Sequence, residues 1–316
     1  LTTTAQTTPG AAGLAPSSPA DIGLWNRCTF QTVRVILWML ARLLTLHGLY
    51  RFGRLFGTLE WCVDYKRRRV FARRLRHVFG SEITPAFRRR QTLAHFQVSR
   101  CDKIFYLIMD MLPREVVLER FHIDRRDLLD RGMAAGKGVY IMTSHHGATH
   151  VAGLCLVLLG YRVAGVRDRK EGAIRRFIQR KYERKYPELR KIRFLFSDAY
   201  PRDIYRCLND NYVLGSSLDV RRPRESHQKT VPVMFFGQQC NFLTGTLQIA
   251  LRCGSAVLQV FTVSEPGFHY RFQLLDPLVT QEQGDETPET VAGVMRAYAE
   301  NIESYARRYP AQITRE

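Results

Sequence analysis

The stretch Thr143-Ser144-His145-His146-Gly147-Ala148-Thr149-His150 gathers three of the chain's nine histidines into six residues. It follows GVYIMT (138–143), an apolar run that reads as a buried strand, and it opens a segment, 147–159, that reads as a helix. The end of a strand in an α/β sheet is a common ligand position. The helix start beyond it offers backbone N–H groups and a partial positive charge to a developing oxyanion. A histidine there can act as general base toward a hydroxyl, because its unperturbed pKa lies near neutrality. A metal reading competes with this one. His146 and His150 have the i, i+4 spacing that puts two imidazoles on one helix face, with His227 or His269 as a distant ligand, but no Glu follows as in HExxH. Capping or partly exposed histidines are the plain alternative.

The rest of the chain must supply a sheet to hold this stretch. Strands are expected at 161–166, 192–196, 212–219, 231–237, 256–263 and 270–275, with helices at 172–186, 201–209, 242–253 and 289–309 between or after them. That alternation predicts an α/β fold in which a central mixed β-sheet is covered by helices on both faces. A further helix is expected over 85–111, ended by Pro113.

Residues 1–20 carry Thr, Ser, Pro, Gly and Ala with almost no large apolar groups, so 1–23 is expected to be a disordered leader. The remainder, 24–316, reads as a single domain. Within it 24–61 is densely apolar with sparse arginines. Arg34 and Arg42, about 80° apart on a helix wheel, would form a polar stripe on a broad apolar surface, as in an interfacial helix. No uninterrupted apolar run is long enough to span a bilayer. Lys66, Arg67, Arg68, Arg69, Arg73, Arg74 and Arg76 follow at once, suited to an anionic leaflet.

With 48 Lys+Arg against 29 Asp+Glu the 316-residue chain has a formal charge of +19, spread along its length, which implies acidic partners. No zinc finger, RNP motif or basic arm interleaved with aromatics accompanies that charge, so nucleic acid is not an expected partner. The seven cysteines are scattered without a CxxC, which argues against a disulfide framework or a zinc ribbon and fits a reducing compartment.

From about Tyr50 to Pro310 the sequence resembles the bacterial lipid A biosynthesis (late) acyltransferases, within the lysophospholipid acyltransferase group. GVYIMTSHHGATHVAG matches the family's strand followed by His and, five positions on, Asp or Glu. His145 takes the His position and His150 stands where the acid belongs. Gly165-Val166-Arg167-Asp168-Arg169-Lys170 fits a second block. Asp219, Arg221, Arg222, Phe235, Phe236, Gly237, Thr244 and Gly245 match a third, which runs through Phe-Phe-Gly to Thr-Gly. Tyr309-Pro310-Ala311-Gln312 is similar to the start of the family's terminal Pro-Glu-Gln-Trp, without the tryptophan.

The resemblance implies an acyltransferase that moves an acyl group from an acidic acyl carrier protein or a coenzyme A thioester to a hydroxyl of an anionic lipid or glycolipid. No cofactor beyond the thioester is implied. The location implied is the cytoplasmic face of the bacterial inner membrane, peripheral or monotopic. His145 would be the base, with His150 or Asp219 as its partner. His146, Arg167, Arg169, Arg221, Arg222, Phe236 and Gly237 would contact substrate, the arginines as clamps for phosphate. Phe235, Phe236 and Phe242 also read as core, and Gly237 as a turn. With the acid replaced, a catalytically impaired homologue that only binds lipid or carrier is the second reading, and a metal hydrolase the third.

Overall fold

The computed structural model describes residues 24–80, 83–167, 173–196, 201–219, 229–280 and 285–314; the expected leader and Arg169, Arg221, Arg222 and His227 lie outside these. Nine strands occur among the described residues: β1 (Phe121–Asp124), β2 (Val139–Thr143), β3 (Val163–Arg167), β4 (Arg193–Phe196), β5 (Val213–Ser217), β6 (Thr230–Phe235), β7 (Gln238–Leu243), β8 (Ala256–Glu265) and β9 (His269–Leu274). Seven of them form one sheet in the order β1-β9-β8-β2-β5-β3-β4. Every neighbouring pair is parallel except β8 with β9, so the sheet is mixed.

Burial in β2 shows why the sheet is covered twice. Successive side chains of a strand point to opposite faces. Val139 and Ile141 enter one core, while Tyr140 and Met142 enter the other. The first core is closed by α4 (Pro85–Ile108), α7 (Thr149–Leu158) and α8 (Ala173–Lys185), the second by α9 (Pro201–Asn209), α10 (Gly245–Arg252) and α11 (Pro288–Arg308). The short α5 (Arg114–Leu118) and α6 (Arg126–Ala134) flank β1.

One expected boundary is wrong. Phe242 and Leu243 end β7 instead of starting a helix, and α10 begins only at Gly245. Phe236 and Gly237 both have positive φ, 47° and 72°, between paired Phe235 and Gln238. This is a two-residue hairpin turn whose twist matches the strands it joins. Phe235, Cys240 and Phe242 alternate inward on the hairpin, a period-2 signal hidden by the polar Gln238 and Gln239.

The N-terminal part is a layer of four helices: α1 (Leu24–Leu43), α2 (Leu46–Val63), α3 (Tyr65–Phe79) and α4. Thr45, Asp64 and Thr84 cap α2, α3 and α4 by accepting from backbone N–H groups three residues on, which fixes each helix start. α2 lies against α4 closely enough that a Cβ at Gly57 would sit 2.7 Å from Gln97 Cα. Among the described residues no helix is long and apolar enough to cross a membrane.

The expected Arg34–Arg42 stripe does not exist. Arg34 is 7% exposed and points inward, donating to both Asp110 oxygens at 3.0 and 2.7 Å and to the Leu107 carbonyl at 2.8 Å. Arg42 is on the surface, over the Trp38 ring. A buried carboxylate 76 positions on in the chain, invisible to a helical wheel, overrides the pattern. The outer faces of α1 and α2 are left apolar, with Val35, Trp38, Met39, Leu43, Leu55 and Leu59 exposed. Asp110→Ala strands the Arg34 cation and is expected to cost about 3 kcal/mol in urea unfolding. Arg42→Ala should change stability by less than about 0.5 kcal/mol.

Candidate active site

The parallel register of β2 and β5 sets Thr143 opposite Ser217, and their hydroxyls meet at 2.7 Å. Two residues beyond these strand ends stand His145 and Asp219. His145 Nδ1–H donates to Asp219 Oδ1 at 2.7 Å, and the His145 backbone N–H donates to Oδ2 at 2.8 Å. A carboxylate can only accept, so the contact fixes the proton on Nδ1 and leaves Nε2 with its lone pair. The His145 side chain is 29% exposed and that of Asp219 is 4%, an open imidazole backed by a buried acid. Burial alone would raise the Asp219 pKa. The His145 ring and backbone N–H groups, with the field of the two imidazoles, outweigh it and hold the carboxyl below its usual range.

His150 occupies the first turn of α7, and its ring meets Tyr106 of α4 edge to face, centroids 4.7 Å apart. His146 is buried, edge-on to Tyr305 of α11, and burial drives its pKa down to about 4 with the His145 and Arg74 fields adding to the shift. The two imidazoles of the metal reading therefore pack against different helices, and among the described residues no three His, Cys, Asp or Glu converge on a metal position. His269 begins β9 on the surface. Arg167 ends β3 at the same C-terminal edge of the sheet, paired by its backbone with Phe196. Phe235 and Phe242 lie in the core, and Phe236 and Gly237 form the hairpin tip, where the Phe236 N–H donates to Glu303 of α11 at 2.6 Å.

Three groups that hold the site gave no sequence signal of that role. Tyr298 of α11, fully buried, donates its hydroxyl proton to the Thr143 carbonyl at 2.5 Å and accepts from the Leu218 N–H at 3.3 Å. It joins the two strand ends that carry His145 and Asp219, yet in the sequence it is one more apolar-face aromatic of a helix. Gln312 grips β8 through both amide atoms, accepting from Ser264 N and donating to Ser264 O at 2.9 Å each, while its carbonyl accepts from Gly147 N at 3.2 Å. The similarity of 309–312 to a family tail marked that region without saying what it does. Gly147, with φ 69°, lies so close to β8 that a Cβ would stand 1.8 Å from the Thr262 oxygen. Its N–H, expected to be free for an oxyanion, is taken by Gln312.

Tyr298→Phe removes both bridging hydrogen bonds at constant shape. It is expected to cost about 1–3 kcal/mol in urea unfolding and to speed exchange of the His145 Nδ1 proton seen by NMR. A pH dependence follows from His146 and from His95 of α4, each lowered from 6.5 to about 4 chiefly by burial. Between those values the unfolded chain binds the extra proton, so stability falls as pH drops below about 6.5 and keeps falling toward 4. At pH 5 each imidazole should cost about 2 kcal/mol, and His146→Leu should remove about half of that acid-linked loss.

A family model described as bacterial lipid A biosynthesis acyltransferase matches residues 27–314. No curated protein matches the chain. Nearly the whole chain, including the two strand ends followed by His145 and Asp219, falls within that match, and the chain belongs to the bacterial lipid A biosynthesis acyltransferase family.

Proposed function

We propose that the protein transfers an acyl group from a carrier-protein or coenzyme A thioester to a hydroxyl of a lipid or glycolipid at a membrane surface, with His145 as general base and Asp219 as its carboxylate partner. The observation that carries this reading is the 2.7 Å bond between His145 Nδ1 and Asp219. It brings a carboxylate from just past β5 to His145, while His150 stands at the acid position five residues on.

Nε2 of His145 takes the proton of the acceptor hydroxyl as its oxygen attacks the thioester carbonyl. The tetrahedral oxyanion then collapses, the C–S bond breaks, and the departing thiolate receives the proton from the imidazolium. Asp219 holds the ring in the tautomer that leaves Nε2 able to accept and stabilises the imidazolium formed on the way. A thioester brings its own good leaving group, so alignment of the two substrates and charge stabilisation carry most of the remaining barrier. The N-terminal end of α7, just after His145, adds partial positive charge beside the reacting carbonyl.

The membrane-surface part rests on the exposed apolar side chains of α1 and α2 and on the arginines of α3 beside them. Apolar area of this kind is stabilised by burial in the acyl boundary, and the cations by anionic head groups. A bacterial inner membrane, approached from its cytoplasmic face, is the location that the family implies. The impaired-homologue reading takes the acid to be missing; the Asp219 contact with His145 is the observation against it.

The test is transfer from a panel of acyl carrier protein and coenzyme A thioesters into a bacterial lipid extract, for wild type and three variants. His145→Ala and Asp219→Asn should each lower kcat by about 10³–10⁴, with KM little changed. His150→Ala should stay within about ten-fold of wild type. Loss of transfer in His150→Ala together with an active Asp219→Asn would overturn the assignment.

A further inference from the structure

Asp102 of α4 has no part in the proton transfers assigned to His145. The residue is partly exposed, but its carboxylate is aimed at β8, where Oδ2 accepts the hydroxyl proton of Ser264 at 2.9 Å. Tyr270 of β9 pairs with Ser264 across the β8–β9 ladder and acts on the same carboxyl.

Ser264 is also the residue that Gln312 grips. Its backbone N–H donates to Gln312 Oε1 and its carbonyl accepts from Nε2, while the Gln312 carbonyl accepts the Gly147 N–H. A line of hydrogen bonds thus runs from Asp102 through Ser264 and Gln312 to Gly147, two positions after His145. Gly147 has positive φ, 69°, and the Thr262 oxygen stands where a Cβ would go, so this turn has little room to shift. Holding it fixes the backbone that leaves His145, and with it the ring.

An asparagine would accept the Ser264 proton with no charge to desolvate. Withdrawal from water pushes the Asp102 pKa from 3.8 up to about 7, against the pull of Ser264 and Tyr270. Cys101 beside it, Tyr50 of α2, Tyr270 and Tyr305 of α11 feel its field, and burial raises all four, so they are neutral at physiological pH. Arg54 of α2, the cation that acts on Tyr50 and Cys101, donates to Gln97 of α4 at 3.3 and 3.2 Å. The carboxylate is therefore kept at a cost in stability. What it adds over an amide is a charge-assisted, stronger bond to Ser264.

We propose that Asp102 is a positioning residue for the transfer: its carboxylate fixes Ser264 and, through Gln312, the Gly147 turn that sets the His145 ring. The link to transfer rests on the acyl-transfer reading; the hold on Gly147 does not.

The test compares the full chain with its Asp102→Asn variant, which keeps the shape and an acceptor oxygen. With the carrier-protein or coenzyme A thioester that wild type uses fastest, kcat should fall about five-fold and KM stay within about two-fold, as a charge-assisted bond gives way to a neutral one. Exchange of the Gly147 amide, read by NMR, should quicken by a similar factor. Stability should move the other way. A carboxyl raised in the folded chain loses stability as pH climbs from the unfolded value of about 4 to the folded value of about 7. The variant's thermal midpoint should therefore exceed that of wild type by about 2–4 °C at pH 8, with the gap closing toward pH 4. A residue that only supports the fold would lose stability on substitution. A lower midpoint at pH 8, or unchanged kcat and Gly147 exchange, overturns the proposal. Ser264→Ala removes the same bond from the other side, and it decides the matter even if Asp102→Asn does not fold. It should slow transfer and quicken Gly147 exchange as much, and the double variant should add nothing to either. Additive effects, or a Ser264→Ala variant that transfers and exchanges as wild type does, would break the relay. Should wild type transfer from no donor, the acyl-transfer reading fails, and Gly147 exchange still decides for or against Asp102.

Discussion

The hydrogen-bonded pair of an open imidazole and a buried carboxylate is possible only because β2 and β5 run parallel in one register. Thr143 and Ser217 close the ladder with a side-chain bond, and two residues beyond those strand ends His145 and Asp219 meet. A slip of one residue in the register would move the two strand ends apart along their length and break that contact. The buried acid therefore depends on ordinary strand packing: Val213 and Leu214 of β5 are locked between two cores by apolar burial, worth about 1.5–3 kcal/mol for each such side chain. An acid on α7 would depend on the angle at which that helix leaves the sheet. One just past β5 depends on the strand end that precedes it.

Behind the pair, the C-terminal segment acts as its backing. Tyr298 ties the two strand ends together, the Phe236 N–H fixes the hairpin to Glu303, and Gln312 joins β8 to the loop at Gly147. All three contacts come from α11 and the short turn after it. Each satisfies backbone groups at strand ends, where the sheet's own ladder has run out and a buried unpaired group would be costly. That accounts for a tail resembling the family's terminal motif: the amide of Gln312 pairs with both polar groups of Ser264, a role that needs a donor and an acceptor on one planar head.

Much of this was written locally. The apolar run 138–143, the histidine cluster and the helix over 289–309 each declare themselves through period and punctuation, and Asp219 is marked by the family resemblance alone. What could not be read was anything set by distant residues meeting. Arg34 looks like a surface cation until Asp110, 76 positions away, receives it. Phe242 looks like the start of a helix until Val231 pairs with it across a hairpin. Tyr298 looks like one more buried aromatic, because its function lies in a single hydroxyl whose two partners come from separate strands. The family pattern leaves His150 and Asp219 both open as partner of His145, and the structure gives the contact to Asp219, 74 positions away.

One helix connects the apolar surface with the chemistry. α4 takes the close approach of α2 at Gly57, carries Tyr106 against His150, and sets His95 against the tail that holds Gly147. At its C-terminal end Leu107 and Asp110 hold Arg34 and hence α1. The helices that expose Trp38, Met39 and Leu59 are thus bound to the same rod that touches His150 and the tail at Ala311. Packed interiors transmit small displacements instead of absorbing them. The exposed faces of α1 and α2 and the loop at His145 are thus joined through α4 by packed rings and hydrogen bonds.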